Sequence, residues 1–187
     1  MIPSMQSLKQ LFETLPAEAA DLPANATRLL GSAGPLDPTQ TWGSALAAAH
    51  FIRCQPLSEA VRTDARAAGL SEAHEADARA AAAIMGMNTV YFRFRHIMHS
   101  EAYTTKPFNL RMHRMKEVAT DQAHFELYSI GPAALAGCEL CLKAHEAAVK
   151  KGGLSEDHVH EVVRIAAVLH GLAVALEMDP TAAEKAR

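Results

Sequence analysis

The sequence predicts an all-α fold, and three observations predict it. Alanine, leucine, methionine and glutamate recur at helical spacing through most of the chain. Alternating β-branched runs are missing; the nearest, Thr89-Val90-Tyr91-Phe92, lies inside a longer helical pattern. Capping residues, prolines and glycines fall where such helices would start and stop.

The elements follow in order. Ser4 to Thr14 predicts a short first helix stopped by Pro16. Asp37-Pro38 supplies an N-cap and an N1 proline for a helix to about Cys54. Leu57 to Ala68 predicts another short helix, and Ser71 caps a long apolar segment reaching about Met98. Tyr103 to Val118, with Pro107, predicts a connector whose basic residues are solvated. Asp121 opens a helix containing Glu126, expected to bend or break at Gly131-Pro132 because proline lacks the amide donor. A further helix starts near Cys138 and ends at Gly152-Gly153. Ser155 caps a last helix extending to about Met178, before Pro180 and a frayed tail.

Composition narrows the function. The 187 residues, 49% hydrophobic, are enough for a sizeable core. A net charge of -3 with dispersed Lys and Arg argues against a nucleic-acid partner. The first residues lack a basic segment followed by an apolar one, and nowhere do about 18 apolar residues run uninterrupted, so no membrane partner is expected. Three cysteines are too few for a disulfide scaffold, which makes the cytoplasm the expected location.

The two halves resemble each other. Gly69-Leu70-Ser71-Glu72-Ala73-His74 recurs as Gly153-Leu154-Ser155-Glu156-Asp157-His158, and the same shift of 84 lays Cys54 on Cys138. It also lays Trp42 on Glu126, Leu57 on Cys141 and Val61 on His145, so the first copy lacks the second copy's chemical groups.

Those groups lie in Gly137-Cys138-Glu139-Leu140-Cys141-Leu142-Lys143-Ala144-His145. On a helix Cys138 and Cys141 are neighbours at i,i+3 and Cys141 and His145 at i,i+4, so two thiols and a base share one face. A helix start stabilises a thiolate, and a second thiol one turn away captures a sulfenic acid as a disulfide. Thioredoxin-type logic favours Cys138 as the attacking sulfur, whereas His145 is one turn from Cys141. Glu126 is the candidate carboxylate to hold His145 as imidazolium, provided its helix packs antiparallel to the Cys138 helix. Zinc is disfavoured, because Cys138, Cys141 and His145 supply three ligands where a structural site needs four.

Other polar residues are given structural roles. Cys54 is assigned to the core, as are Met85-Gly86-Met87 and His170, the latter beside a Gly171 that permits close helix packing. His124 points away from Glu126, His158 and His160 belong to the surface or an interface, and Arg93, Arg95 and His96 form a charged patch or subunit contact.

The segment Ala83-Ile84-Met85-Gly86-Met87-Asn88-Thr89-Val90-Tyr91-Phe92-Arg93, together with Phe125-Glu126-Leu127-Tyr128-Ser129 and the Cys138, Cys141, His145 spacing, resembles the alkyl hydroperoxidase AhpD family, within the carboxymuconolactone decarboxylase-like superfamily. The likeness runs from about Trp42 to Ala175; the N-terminal extension and the Tyr103 to Val118 connector match poorly. It implies a single all-helical domain over residues 1–187, with a degenerate repeat at about 37–100 and an active one at about 121–179, in a trimer or larger homo-oligomer.

The resemblance further implies a peroxidase acting on organic hydroperoxide or hydrogen peroxide. Cys141 would be the nucleophile, Cys138 the proton donor and disulfide partner, and His145 with Glu126 the proton relay. No tightly bound cofactor is implied; a lipoyl group would be the external reductant. The implied partners are the peroxiredoxin AhpC and a lipoylated acyltransferase. Some members carry histidine directly before the second cysteine, where this chain has Leu140, which puts rate, redox potential and preferred reductant in doubt.

Overall fold

The computed structural model describes residues 5–31 and 34–178, and among them every regular element is helical. The α-helices are α1 (Gln6–Phe12), α2 (Asp21–Leu30), α3 (Pro38–Ile52), α4 (Gln55–Ala67), α5 (Glu72–Met98), α6 (Glu101–Thr104), α7 (Gln122–Leu135), α8 (Glu139–Lys151) and α9 (Glu156–Met178). Short 3-10 turns cover Ala17–Ala19 and His113–Met115. Ser4 and the tail from residue 179 lie outside the described residues.

Helix starts follow capping chemistry. Asp37 closes a full capping box with Gln40 ahead of Pro38, Ser71 accepts from the His74 amide, and Asp121 accepts from the His124 amide. The start of α1 has no cap of its own; Asp64 of α4 accepts from the amides of Ser7 at 3.0 Å and Leu8 at 2.8 Å. That long-range carboxylate ties a two-turn helix, marginal alone, to the body of the protein.

One expectation is corrected, and one element is new. Helix α7 runs unbroken through Pro132, which removes one amide donor close enough to the C-terminal end that α7 closes by itself at Leu135. Helix α2 is an element the sequence reading passed over. Pro23 stands in the first turn, where amides have no intrahelical partner and proline costs little.

The helices α3, α4 and α5 begin 84 residues before α7, α8 and α9, and α4 and α8 have equal length. Cys54 and Cys138 are their N-caps, and Gly69 and Gly153 leave them at φ 93° and 90°, a conformation that costs glycine little. The core is built on α7, which packs against α3, α5, α8 and α9. Where α3 meets α7, a Cβ on Gly43 would lie 2.2 Å from the ring of Tyr128, so only glycine allows the approach. The fully buried Tyr128 bonds to His74 Nδ1 at 2.9 Å and to the Thr39 carbonyl at 3.3 Å, and burial pushes its phenol strongly upward.

Helix α9 has the length and composition to cross a membrane, but Val162, Ile165, Ala166, Leu169 and Leu172 are buried, and it packs on α2, α3 and α7. His170, expected in the core, is exposed, since one residue past Leu169 is about 100° around the helix from the buried stripe. Gly171 does allow close packing: a Cβ there would lie 3.1 Å from Leu22 of α2.

The connector after α6 is not simply solvated. Asp77, fully buried on α5, accepts from Arg114 at 2.5 Å, from the amides of Ala119 and Thr120 at 2.9 Å each, and from the Thr120 hydroxyl at 2.7 Å. Burial alone would raise the Asp77 carboxyl, but these donors outweigh it and hold it below the usual carboxylate range.

Candidate active site

Only Ala136 to Cys138 separates α7 from α8, so the chain turns back on itself and brings Glu126 beside His145. Gly137, at φ 62°, supplies the left-handed residue of that turn. Arg93 of α5 donates to the Ala136 carbonyl at 2.5 Å, and His96 faces Glu139 at 3.1 Å, so part of the expected charged patch secures the start of α8. Arg95 donates to the Thr104 carbonyl.

Cys138 and Cys141 are joined in a disulfide with Cα atoms 5.3 Å apart. Cys138 is the N-cap of α8 and its sulfur accepts from the Cys141 amide at 3.4 Å, so the helix terminus serves the first sulfur of the pair. Cys138 is fully buried and Cys141 is 5% exposed. Beside them, Glu126 Oε2 lies 2.6 Å from His145 Nδ1, and both residues are buried. The carboxylate accepts, which places a proton on Nδ1 and leaves Nε2 with a lone pair in the neutral ring. Nε2 faces the thioether of Met85 at 3.2 Å, and Gln122 donates to the other Glu126 oxygen at 2.6 Å.

The structure thus brings Cys138, Cys141, His145 and Glu126 together. A cavity of about 340 Å³ opens on Cys141 and His145, walled by Asn88, Phe92, Met112, Met115, Leu140 and Ala144. Met112 and Met115 belong to the connector that Asp77 anchors. Sequence reasoning did not find Gln122 or Asn88. Gln122 sits four residues before Glu126 on one face of α7, a spacing that marks a side-chain partner. Met85, expected in the core, is fully buried and also touches His145.

The remaining candidates lie elsewhere. His124 pairs with Asp121 and packs edge-on against His74, away from Glu126. His158 bonds to Ser155 at 2.9 Å at the start of α9, and His160 is exposed. Cys54 is a free, buried thiol whose pKa burial pushes up, and Trp42, Leu57 and Val61 fill its half of the molecule with apolar packing.

An all-helical chain with a CxxC pair at a helix start and a buried His–Glu pair behind it defines a class of protein, and residues 101–183 match the model of the carboxymuconolactone decarboxylase family. A protein of Anaeromyxobacter sp. (strain K) named alkyl hydroperoxide reductase AhpD is 47% identical over 179 residues, 96% of this chain and 95% of that one. A protein of the same name from Maricaulis maris (strain MCS10) is 40% identical, covering 92% and 99% of the two chains, and one from Acidobacterium capsulatum is 37% identical, covering 90% and 92%. The chain belongs to the alkyl hydroperoxide reductase AhpD family. The alignment with the first of these spans 179 residues, so the likeness reaches well beyond the Trp42 to Ala175 stretch on which the motifs lie.

Proposed function

We propose that this chain reduces hydroperoxides by cycling Cys138 and Cys141 between dithiol and disulfide, with Cys141 as the attacking thiol and a lipoyl group as the external reductant. The observation that carries the reading is the placement of Cys141 and His145 on one cavity, with Glu126 behind the imidazole. The relatives' name supplies the substrate class.

In the reduced protein, His145 Nε2 takes the Cys141 proton and Glu126 favours the resulting imidazolium. The thiolate attacks the oxygen of ROOH that bears hydrogen. An S–O bond forms, the O–O bond breaks, and the departing alkoxide takes the imidazolium proton to leave as ROH. Cys138 then attacks the sulfenic sulfur; the S–S bond forms, and hydroxide leaves with the Cys138 proton as water. Overall, ROOH and two thiols give ROH, water and a disulfide, which an external dithiol reduces again. The Cys141 amide at Cys138 Sγ favours a thiolate for this second attack.

Exposure bears on the reductant. With sulfurs 0% and 5% exposed by residue, a slender lipoyl arm reaches the disulfide more readily than a thiol on a folded protein surface. A lipoylated acyltransferase is therefore the proposed electron donor and the peroxiredoxin AhpC a proposed client, in the reducing cytoplasm. The exposed apolar side chains Val90, Phe94, Ile97 and Met98 on α5 support a homo-oligomer, which the family resemblance implies is a trimer or a multiple of it.

The test is consumption of cumene hydroperoxide with dihydrolipoamide as reductant. Turnover by the wild-type protein that disappears in Cys141→Ser is expected. An oxidation that changes assembly without turnover would replace the enzyme with a redox-switched oligomerisation module.

A further inference from the structure

We infer that Asn88 positions the substrate in the Cys141 cavity, its Oδ1 accepting the O–H of the hydroperoxide, and that it thereby selects hydroperoxides over dialkyl peroxides. The inference rests on the peroxidase reading above. Asn88 is 4% exposed and lines the same cavity as Cys141 and His145. Its amide nitrogen has one weak partner, the Met115 thioether at 3.6 Å, and its Oδ1 is buried with no partner at all. Leaving a buried amide acceptor unpaired costs stability, a cost that a folded protein rarely carries without a use for the group.

The rest of the cavity offers a ligand little to donate to. Phe92, Met112, Met115, Leu140 and Ala144 have no side-chain oxygen or nitrogen, and His145, bonded to Glu126 at Nδ1 and carrying the Cys141 proton at Nε2 when the thiolate attacks, has no lone pair to accept with. A hydroperoxide has one donor, the hydrogen on the oxygen that the thiolate attacks, whereas a dialkyl peroxide has none. A hydrogen bond to Asn88 Oδ1 therefore fixes the reacting oxygen itself. The bond also survives the step: the same oxygen, with its hydrogen, becomes the S–O–H of the Cys141 sulfenic acid. Asn88 then holds that group until Cys138 displaces hydroxide.

The experiment uses the full-length protein, reduced, and follows Cys141 by mass spectrometry under two reagents: cumene hydroperoxide, and methyl methanethiosulfonate, which has no hydrogen-bond donor. In Asn88→Leu the rate constant with hydroperoxide should fall roughly 10- to 100-fold, the loss of one positioning hydrogen bond. The rate with the thiosulfonate should stay within about twofold. Asn88→Ala, which cannot crowd Met115 or Phe92, gives the same comparison should the leucine variant not fold. An unchanged peroxide rate, or equal losses with both reagents, overturns the inference. Failure of the wild-type protein to react with hydroperoxide at all sinks the peroxidase reading instead, and this inference with it.

Discussion

Glu126 meets His145 Nδ1 at 2.6 Å across the α7–α8 turn, and its other oxygen is held by Gln122 from the same helix. The carboxylate is fixed at both oxygens, so it sets the imidazole tautomer as well as stabilising the charged ring. Glu126→Gln keeps the shape but presents an amide, and a donor facing Nδ1 moves the ring proton to Nε2, so that on the proposed mechanism the ring has no lone pair for the Cys141 proton. We expect the second-order rate constant with hydroperoxide near pH 7 to drop about 100-fold, with the helical circular dichroism spectrum retained. A rate equal to wild type removes Glu126 from the mechanism.

The three cysteines separate cleanly. Cys141→Ser should abolish peroxide reduction. Cys138→Ser should react once and stop, leaving a sulfenic acid on Cys141 that dimedone traps for mass spectrometry. Cys54, buried at the N-cap of α4 among apolar side chains, has no partner thiol. Cys54→Ala should cost about 1 kcal/mol of stability through a small cavity and leave turnover largely intact. A dimedone adduct on Cys138 in the Cys141→Ser variant would reverse the assignment of attacker and resolver.

How much of this was legible beforehand depends on where the partners sit. Cys138, Cys141 and His145 lie within two turns of one helix, so spacing alone put them on a face. Asp37, Ser71 and Asp121 mark helix starts because capping is local chemistry. Glu126 was legible as a candidate, but its approach to His145 depended on the turn at Gly137. Asn88 and Met85 are reached across about 60 residues of chain, and nothing on α5 distinguishes a residue facing a cavity from one facing the core. Pro132 misled because proline disrupts a helix only where its missing amide was needed.

Leu140, 41% exposed between the cysteines, occupies the wall of the Cys141 cavity and of a neighbouring one lined by Phe92, Arg95, His96 and His99. An imidazole there would add a second titratable neighbour to the thiol pair. Leu140→His should therefore move the pH at which Cys141 becomes alkylated to lower values, by favouring the thiolate when the ring is charged. Alkylation by iodoacetamide across pH 5 to about 9 reads this directly; an unmoved or raised midpoint would show that position 140 does not sense the reacting thiol.

Asp77 ties the connector, and hence Met112 and Met115, to α5. Its carboxyl is held below the usual range by Ala119, Thr120 and Arg114 despite its burial, so the folded protein binds this proton less readily than the unfolded chain. The stability it contributes is thus fully present above the ordinary carboxyl pKa of 3.8 and is lost as pH falls below it toward the folded value. Asp77→Asn should cost about 2–4 kcal/mol at pH 7 by breaking the ion pair and leaving donors unsatisfied. Urea unfolding at pH 7 and pH 3 should then show a smaller acid-induced loss in the variant than in the wild type. The same substitution frees the cavity wall, so Cys141 in the reduced variant should alkylate severalfold faster. A variant as stable as wild type, with the full acid dependence, would show that Asp77 anchors nothing.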